Sequence, residues 1–300
     1  MRVFVTGVGG QLGFDVINEL LKRGYEAVGS DIVEHSRISL ECRYIKLDIT
    51  DRHDVDAVIT EINPDAVIHC AAWTAVDAAE DEDNKDLGYK INADGTKNIV
   101  DACKKLDCKM IYISTDYVFS GEGTAPWHPD CMDYAPLNVY GKSKLMGELA
   151  VSKALQKFFI VRIAWVFGKN GNNFIKTMLN LGRKHGILRV VNDQIGTPTY
   201  TFDLARLLVD MVGTDKYGYY HVTNEGGYIS WYDFACEIFR QAGYSTKVVP
   251  VTTEEYGLSK AKRPLNSRLH KSKLSANGFI SLPSWRDAVR RYIENIVLHA

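Results

Sequence analysis

Tyr140 and Lys144 form a Y-x-x-x-K pair in the segment VYGKSK, and this spacing could support proton transfer. On a helix, residues i and i+4 lie on one face, so both side chains can point into one cleft. A free phenol has a pKa of about 10, and a nearby ammonium lowers it by stabilising the phenolate. Tyr140 could then protonate a carbonyl oxygen while hydride arrives at the carbon. Alone, the pair could equally mark the exposed start of an amphipathic helix.

A second group of reactive side chains ends the apolar run MIYISTDYVF. In an open parallel sheet, ligands bind beyond the carboxyl ends of the strands. Thr115 would stand at such an end, where its hydroxyl could donate to a substrate carbonyl oxygen beside Tyr140. We expect Asp116 and Tyr117 to contact the rest of the substrate, although a turn would also explain the run Ser114-Thr115-Asp116.

The glycines of VFVTGVGGQLG lie between a strand and a helix, in a G-x-x-G-x-x-G pattern formed by Gly7, Gly10 and Gly13. Such a turn lets the backbone approach a pyrophosphate, and the helix amino end presents free N–H groups to it. The spacing differs from the G-x-G-x-x-G fingerprint, and a glycine pattern alone is weak support. Its place in the first strand–helix unit favours dinucleotide binding over a simple glycine turn.

Two acids follow the next strands and extend this prediction. Asp31 ends the second strand, where a carboxylate would bind the adenosine ribose hydroxyls. Its negative charge favours NADH over NADPH, because a 2′-phosphate would lie beside it, although Arg37 could accommodate that phosphate. Asp48 ends the third strand and could accept a hydrogen bond from the adenine amino group, or serve only as a turn or helix cap.

Strands and helices that could position these residues alternate through the first half of the chain. Strand-like runs are RVFVTG, YEAVGSD, RYIKLDIT, DAVIHCAA, KMIYIST and FFIVRIAWVFG, and helical patterns lie between them, including a long one from 84 to 107 with an ambiguous register. This alternation predicts a parallel sheet with helices on both faces. The fold class is therefore α/β, a Rossmann-type doubly wound parallel sheet, joined to a smaller α/β substrate-binding domain.

The regular alternation of strands and helices ends after Gly168, where irregular segments separate amphipathic helices. A helix and a strand in TYTFDLARLLVDMVG and GYYHVTN are expected to return to the sheet. We therefore predict an NAD(P)-binding domain of residues 1–168 and 197–224, and a smaller second domain of residues 169–196 and 225–300 that covers the carboxyl edge of the sheet.

Composition narrows the class of protein. Of the 300 residues, 46% are apolar and 24% are charged, and the formal net charge is −1, which favours neither nucleic acid nor an anionic membrane as a partner. No apolar run approaches the ~20 residues of a membrane span. The six cysteines lack CxxC spacing and the start of the chain lacks an apolar run of signal-peptide length, so we expect reduced thiols and a cytoplasmic location. The histidines lack HExxH spacing, so we expect no metal site.

Taken together, these residues resemble the extended short-chain dehydrogenase/reductase superfamily and, more narrowly, its family of dTDP-4-dehydrorhamnose reductases. The glycine turn and the Y-x-x-x-K pair are typical of the superfamily, whereas AAWTAVDAAE, STDYVF and DQIGTPTY are more specific. Matching segments run almost from end to end. The resemblance implies reduction of the C4 keto group of dTDP-4-dehydro-L-rhamnose to give dTDP-L-rhamnose, with NADH or NADPH as the hydride donor.

The resemblance also implies roles for individual residues. The catalytic residues would be Thr115, Tyr140 and Lys144. Cofactor contacts would come from Gly7, Gly10, Gln11, Leu12, Gly13, Asp31, Asp48, Ile49, Ala71, Ala72, Trp73, Tyr140 and Lys144. Substrate contacts would come from Thr74, Val76, Asp77, Asp116, Tyr117, Trp165, Asn173, Gln194 and Arg263. Trp165 could instead be a core aromatic, and Arg263 part of a solvated basic patch.

Some positions depart from the family pattern. Trp73 stands where many relatives have Tyr, and Phe14-Asp15 stands where some members have a Glu that binds a magnesium ion shared by a dimer. We therefore expect no required metal, and a monomer or weak homodimer.

Two alternatives to this function remain open. A nucleotide-sugar 4-epimerase, or a reductase of another nucleotide-linked 4-keto sugar, would share the fold and the Tyr/Lys pair. A non-catalytic nucleotide-binding regulatory subunit is the alternative of another class.

Overall fold

The computed structural model describes residues 1–34 and 42–297. Its strands are, in chain order, β1 (Arg2–Thr6), β2 (Glu26–Asp31), β3 (Arg43–Lys46), β4 (Ala66–His69), β5 (Lys109–Thr115), β6 (Phe158–Ile163), β7 (Val166–Phe167), β8 (Ile187–Val191), β9 (Ile195–Gly196), β10 (Thr199–Tyr200), β11 (Gly218–His221), β12 (Ile229–Ser230) and β13 (Lys247–Val251). Seven of them form a central sheet in the order β11-β6-β5-β4-β1-β2-β3, with every neighbouring pair parallel. The order 3-2-1-4-5-6 is that of a Rossmann fold, which confirms the predicted class.

The helices are α1 (Gln11–Lys22), α2 (Arg52–Ile62), α3 (Glu82–Tyr89), α4 (Thr96–Leu106), α5 (Val139–Ala154), α6 (Phe174–Gly182), α7 (Thr201–Val212), α8 (Trp231–Ala242), α9 (Thr253–Tyr256), α10 (Ser272–Ala276) and α11 (Trp285–Val297). Helices α1 and α7 pack on one face of the sheet, and α2, α4 and α5 pack on the other. Strands β4 and β5 are buried almost throughout, as expected when helices cover both faces. None of the helices in the described ranges is both long and apolar enough to cross a bilayer.

The long helical pattern from 84 to 107 is three consecutive segments. Between α3 and α4 the chain forms a π-helical stretch, Lys90–Gly95. A π turn holds more residues than an α turn, so it shifts the apolar stripe around the helix axis and explains the ambiguous register of the sequence. Gly95 lies in this stretch, where a Cβ would come within 2.8 Å of the Ile49 side chain.

The prediction of one strand across residues 158–168 was wrong. The strand β6 ends at Ile163, and β7 pairs with β10 outside the central sheet. Between them Trp165 adopts a φ of 51°, a left-handed conformation that is uncommon for any residue other than glycine. An apolar run cannot reveal this break between two strands, because the residues on both sides of it are suited to strands.

A separate apolar core lies outside the sheet and is built mainly from α6, α8 and α11. We call the sheet with its helices the first lobe, and the part around this separate core the second lobe. The division into two predicted domains stays a proposal that this separation supports. Leu274 and Phe279, which the prediction assigned to the second domain, pack into the core of the first lobe.

Candidate active site

The turn between β1 and α1 has the geometry that a phosphate-binding turn requires. Gly7 has a φ of 72°, and a Cβ there would lie 2.6 Å from the Ala71 backbone nitrogen. A Cβ on Gly13 would lie 2.2 Å from the Gly7 carbonyl oxygen. Only glycine fits at these two positions, because both obstacles are backbone atoms. The turn therefore forms a cradle into which a dinucleotide pyrophosphate fits at the amino end of α1.

A cavity of about 330 Å³ continues from this turn along the carboxyl ends of β1, β2 and β4. The predicted cofactor residues that line it are Gly7, Gly10, Asp31, Asp48, Ile49, Ala71 and Ala72. The Asp31 carboxylate accepts a hydrogen bond of 2.9 Å from the Gly9 backbone N–H, so it stands beside the phosphate turn. Asp48 also has a turn role, because it accepts from the Thr50 backbone N–H at 2.9 Å. Arg37 lies outside the described residues.

The proposed catalytic residues meet in a second, adjoining cavity. It is lined by Thr115 at the end of β5 and by Tyr140 and Lys144 on α5. The Asn138 side chain caps α5 by accepting from the Gly141 backbone N–H at 2.8 Å, so Tyr140 falls in the first helical turn and Lys144 one turn later. Gly10, Gln11, Leu12 and Gly13 line the same cavity, which places the phosphate turn and the Tyr/Lys pair around one cleft.

Burial controls the ionisation of the Tyr/Lys pair. Burial raises the pKa of Tyr140 to about 12, and it outweighs the hydrogen bond with the Thr115 hydroxyl, which lowers this pKa. Burial also lowers the pKa of Lys144 to about 7, while the Glu148 charge opposes that change. The net pKa of Tyr140 is therefore raised in this arrangement, and a lowering of it by the Lys144 ammonium stays a prediction. The ammonium instead lies 4.1 Å from the centroid of the Tyr112 ring, beneath the cleft.

Asp116 is the most unusual side chain of this cleft. It is 2% exposed, and burial raises its pKa to about 6, although the hydroxyls of Ser267 and Thr115 act in the opposite direction. Thr115 donates to Asp116 Oδ1 at 3.1 Å and accepts from the Tyr117 backbone N–H at 3.2 Å. Within the described residues, no group meets the distance and angle of a hydrogen bond at Asp116 Oδ2, and the same holds for Ser114 Oγ. The Ser267 hydroxyl nevertheless lies near enough to the Asp116 carboxyl to lower its pKa.

Two tryptophans close the side of the cleft towards the second lobe. The rings of Trp165 and Trp231 stack with centroids 3.8 Å apart and planes inclined by 15°. Both line the cavity, together with the predicted substrate residues Thr74, Val76 and Tyr117. Sequence reasoning missed Trp231, although the capping box that Ser230 forms with Asp233 fixes it as the first residue of α8.

Three further predicted substrate residues line a separate pocket, which also borders Trp231. There Arg263 donates two hydrogen bonds to Asp77, of 3.0 and 2.6 Å, and this pairing lowers the pKa of the carboxyl. Gln194 donates to the Thr253 hydroxyl at 3.0 Å. In this pocket, Asp77 therefore partly neutralises the positive charge of Arg263.

Two predicted site residues do not line these cavities. The Asn173 amide donates to Gln11, to the Gly168 carbonyl oxygen and to the Tyr292 hydroxyl, and its oxygen caps α6. Its hydrogen-bonding capacity is used in the protein, and its neighbour Asn172 borders the cleft instead. Trp73 donates from its indole N–H to the Ala75 carbonyl oxygen. Across the described ranges, no three or more His, Cys, Asp or Glu side chains are grouped so as to hold a metal ion.

Comparisons with known proteins agree with this geometry. The family model described as RmlD substrate binding domain matches residues 1–298. The chain is 39% identical to the spore coat polysaccharide biosynthesis protein SpsK of Bacillus subtilis, over 98% of this chain and 97% of that protein. It is also 39% identical to a dTDP-4-dehydrorhamnose reductase of Aggregatibacter actinomycetemcomitans, over 98% of this chain and 99% of that protein. A crystal structure of dTDP-4-dehydrorhamnose reductase from Bacillus anthracis in complex with NADP superposes with a TM-score of 0.89, at 42% identity, covering 98% of this chain and 99% of that one.

Proposed function

The chain belongs to the RmlD substrate binding domain family, and on that premise we propose that it reduces the C4 keto group of dTDP-4-dehydro-L-rhamnose to give dTDP-L-rhamnose. The observation that carries this proposal is the meeting of Thr115, Tyr140 and Lys144 in one cleft with the glycine turn. Gly7, Gly10 and Gly13 would hold a dinucleotide, and the Tyr/Lys pair lies in the same cleft, where a keto sugar would be reduced.

The chemistry balances with the groups in the cleft. A bound NADH or NADPH supplies the hydride that C4 of the sugar receives, and is thereby oxidised. Tyr140 gives its phenolic proton to the former carbonyl oxygen, which becomes a hydroxyl. Lys144 lies one helical turn away and, with a pKa of about 7, can carry the charge that stabilises the resulting phenolate. Thr115 has one hydroxyl proton, so it donates to the substrate oxygen only when it turns away from Asp116.

For the cofactor we propose a preference for NADH. The Asp31 carboxylate stands at the end of β2, next to the phosphate turn, where its charge would repel a 2′-phosphate. The measurement is kcat/KM with each cofactor, compared between the parent enzyme and Asp31→Ala. We expect NADH to be favoured in the parent and this preference to shrink in the variant. An equal or greater kcat/KM with NADPH in the parent would contradict the proposal.

The decisive test of the function uses dTDP-4-dehydro-L-rhamnose generated in situ, with a UDP-linked analogue as the control. We expect steady loss of the nicotinamide absorbance with the parent enzyme. Replacing Tyr140 with Phe should lower kcat by about 10²- to 10⁴-fold, since general acid catalysis contributes on that order, and the variant should still bind cofactor. Unchanged turnover in the variant would refute the role of Tyr140.

The same assay separates the alternatives. A 4-epimerase would keep its NAD bound and give no net consumption. A regulatory subunit would bind nucleotide without turnover. Either outcome with the parent enzyme would replace the proposed function.

A further inference from the structure

Helix α5 carries a buried negative charge one turn beyond the Tyr/Lys pair. Tyr140, Lys144 and Glu148 follow one another at intervals of four residues, so they lie along one face of the helix. Lys144 is 3% exposed and Glu148 is 0% exposed, and water therefore screens their interaction only weakly. Burial lowers the pKa of Lys144 to about 7, and the Glu148 charge opposes that change because it stabilises the ammonium.

Arg162 on β6 holds the Glu148 carboxylate in place. Its guanidinium donates to one carboxylate oxygen at 2.9 Å and to the other at 2.8 Å. Its terminal nitrogens also donate to the Pro129 carbonyl oxygen at 3.1 Å and to the Tyr134 hydroxyl at 2.9 Å. A bidentate pair of this kind fixes geometry as well as charge, so Glu148 keeps one orientation beneath the catalytic helix.

His221 borders this ion pair and is neutral. Its Nδ1 lies 3.0 Å from the Trp127 carbonyl oxygen, which can only accept, so this nitrogen carries the proton. The other nitrogen, Nε2, is then free to accept from Arg162 at 3.4 Å, and burial lowers the pKa of His221 well below its ordinary value. The ion pair thus consists of one carboxylate and one guanidinium, and the carboxylate is the member that belongs to α5.

The other ionisable groups that face Lys144 from β4, β5 and α5 keep their charge near neutral pH. Burial lowers the pKa of His69 to about 3 and raises the pKa of Cys70 to about 12. Burial also raises the pKa of Tyr140 to about 12, and it raises that of Tyr112, whose ring lies beneath the ammonium, well above its ordinary value. Between about pH 6.5 and pH 9, Lys144 is therefore the member of this set that changes its charge.

Resting on the proposed function, we propose that Arg162 and Glu148 are positioning residues for the reduction: Arg162 fixes the Glu148 carboxylate, and this carboxylate keeps a proton on Lys144 at the pH where the enzyme works. Reduction removes the phenolic proton of Tyr140 and leaves a phenolate, which a charged ammonium stabilises and a neutral amine does not. Burial alone favours the neutral amine. Glu148 offsets this effect without touching the substrate, because it does not line the cleft.

The first test is the pH dependence of kcat with dTDP-4-dehydro-L-rhamnose and saturating cofactor. The parent enzyme should lose kcat as the pH rises through about 7, where Lys144 releases its proton. Glu148→Gln keeps the size of the side chain and removes its charge, so this loss should occur about one pH unit lower. The kcat of the variant should then be about fivefold below the parent at pH 7 and close to the parent at pH 5. Asp116, whose pKa is about 6, affects parent and variant alike at each pH.

Further variants separate the charge of Glu148 from its packing. Glu148→Asp and Arg162→Lys keep both charges and disturb the contacts, so kcat falls by one factor at every pH and its decline stays centred where it is in the parent. Glu148→Gln combined with Arg162→Met covers the case in which the single variant does not fold, because removing both buried charges destabilises far less than removing one. This double variant should move the decline in the same direction as Glu148→Gln.

A second measurement needs neither cofactor nor turnover. NMR of protein labelled at the lysine ε-carbons follows the titration of Lys144 directly, and its signal is assigned by its absence from Lys144→Ala. We expect a pKa of about 7 in the parent and a lower pKa in Glu148→Gln.

Two outcomes would overturn the proposal. One is that Glu148→Gln, or the double variant, loses kcat by the same factor at every pH and its Lys144 titrates as in the parent. The other is that Arg162→Lys moves the decline as far as Glu148→Gln does, because packing and not charge would then be the cause. If the parent enzyme consumes no NADH or NADPH, the proposed function itself fails, and the NMR titration still shows whether Glu148 controls the proton on Lys144.

Discussion

Replacing Asp116 with Asn should stabilise the fold at neutral pH while it impairs the site. Folding raises the pKa of this carboxyl from its ordinary value of 3.8 to about 6, chiefly through burial. Each unit by which folding raises a pKa corresponds to about 1.4 kcal/mol. At a pH above both values, ionisation of Asp116 therefore lowers the free energy of unfolding by about 3 kcal/mol, compared with a side chain that stays neutral.

The direction of the pH dependence follows from the same difference. Between pH 3.8 and about 6 the folded protein holds a proton at Asp116 that the unfolded chain has released. Stability therefore falls as the pH rises through this window, and the full penalty is present above it. Because Asn cannot ionise, the gain of Asp116→Asn over the parent should be near zero at pH 4 and about 3 kcal/mol at pH 7.

The assay is urea unfolding of the parent and the variant at several values between pH 4 and pH 8. Asp133→Asn is a matched control, because this carboxylate is exposed to water, and it should leave stability nearly unchanged at each pH. A variant that is less stable than the parent at pH 7 would refute the reasoning. So would a stability difference that is the same at pH 4 and at pH 7.

Two further predictions concern the phosphate turn and the buried ion pair. Gly13→Ala places a Cβ 2.2 Å from the Gly7 carbonyl oxygen, so the NADH affinity should fall by about 10-fold or more, as measured by fluorescence titration. The control Gly186→Ala has no atom within 4 Å of its Cβ and should leave the NADH affinity unchanged. Glu148→Gln removes the carboxylate that neutralises the Arg162 guanidinium, and both side chains are 0% exposed, so the free energy of unfolding measured in urea should fall by about 3–5 kcal/mol. The control Glu294→Gln breaks a half-exposed pair with Arg290 and should lose less than about 1 kcal/mol.

Most of the first lobe could be predicted from the sequence, because each element there carries its own local signal. The apolar runs of β1, β4 and β5 mark strands buried on both faces, and Gly24 with a φ of 75° follows α1 where a helix should end. Because ligands bind beyond the carboxyl ends of parallel strands, the sequence also predicts that Thr115 lies at the site.

The missed features depend on contacts that are distant in sequence. Trp165, with its left-handed backbone, stacks its ring on Trp231, and no local pattern encodes that contact. The spacing of Tyr140 and Lys144 places both on one helical face, but the depth of burial, which dominates both pKa values, depends on the surrounding fold. The sequence predicts Asn173 at the substrate, whereas its amide bonds to Tyr292 and Gln11 and does not line the cleft.

The stacked indoles of Trp165 and Trp231 give this cleft a built-in optical reporter. With ring centroids 3.8 Å apart, their electronic transitions couple, and this coupling contributes a signal to the near-ultraviolet circular dichroism spectrum. Because one ring follows β6 and the other begins α8, a ligand that slides between the two rings changes the coupling. Binding can therefore be followed without a label and without turnover.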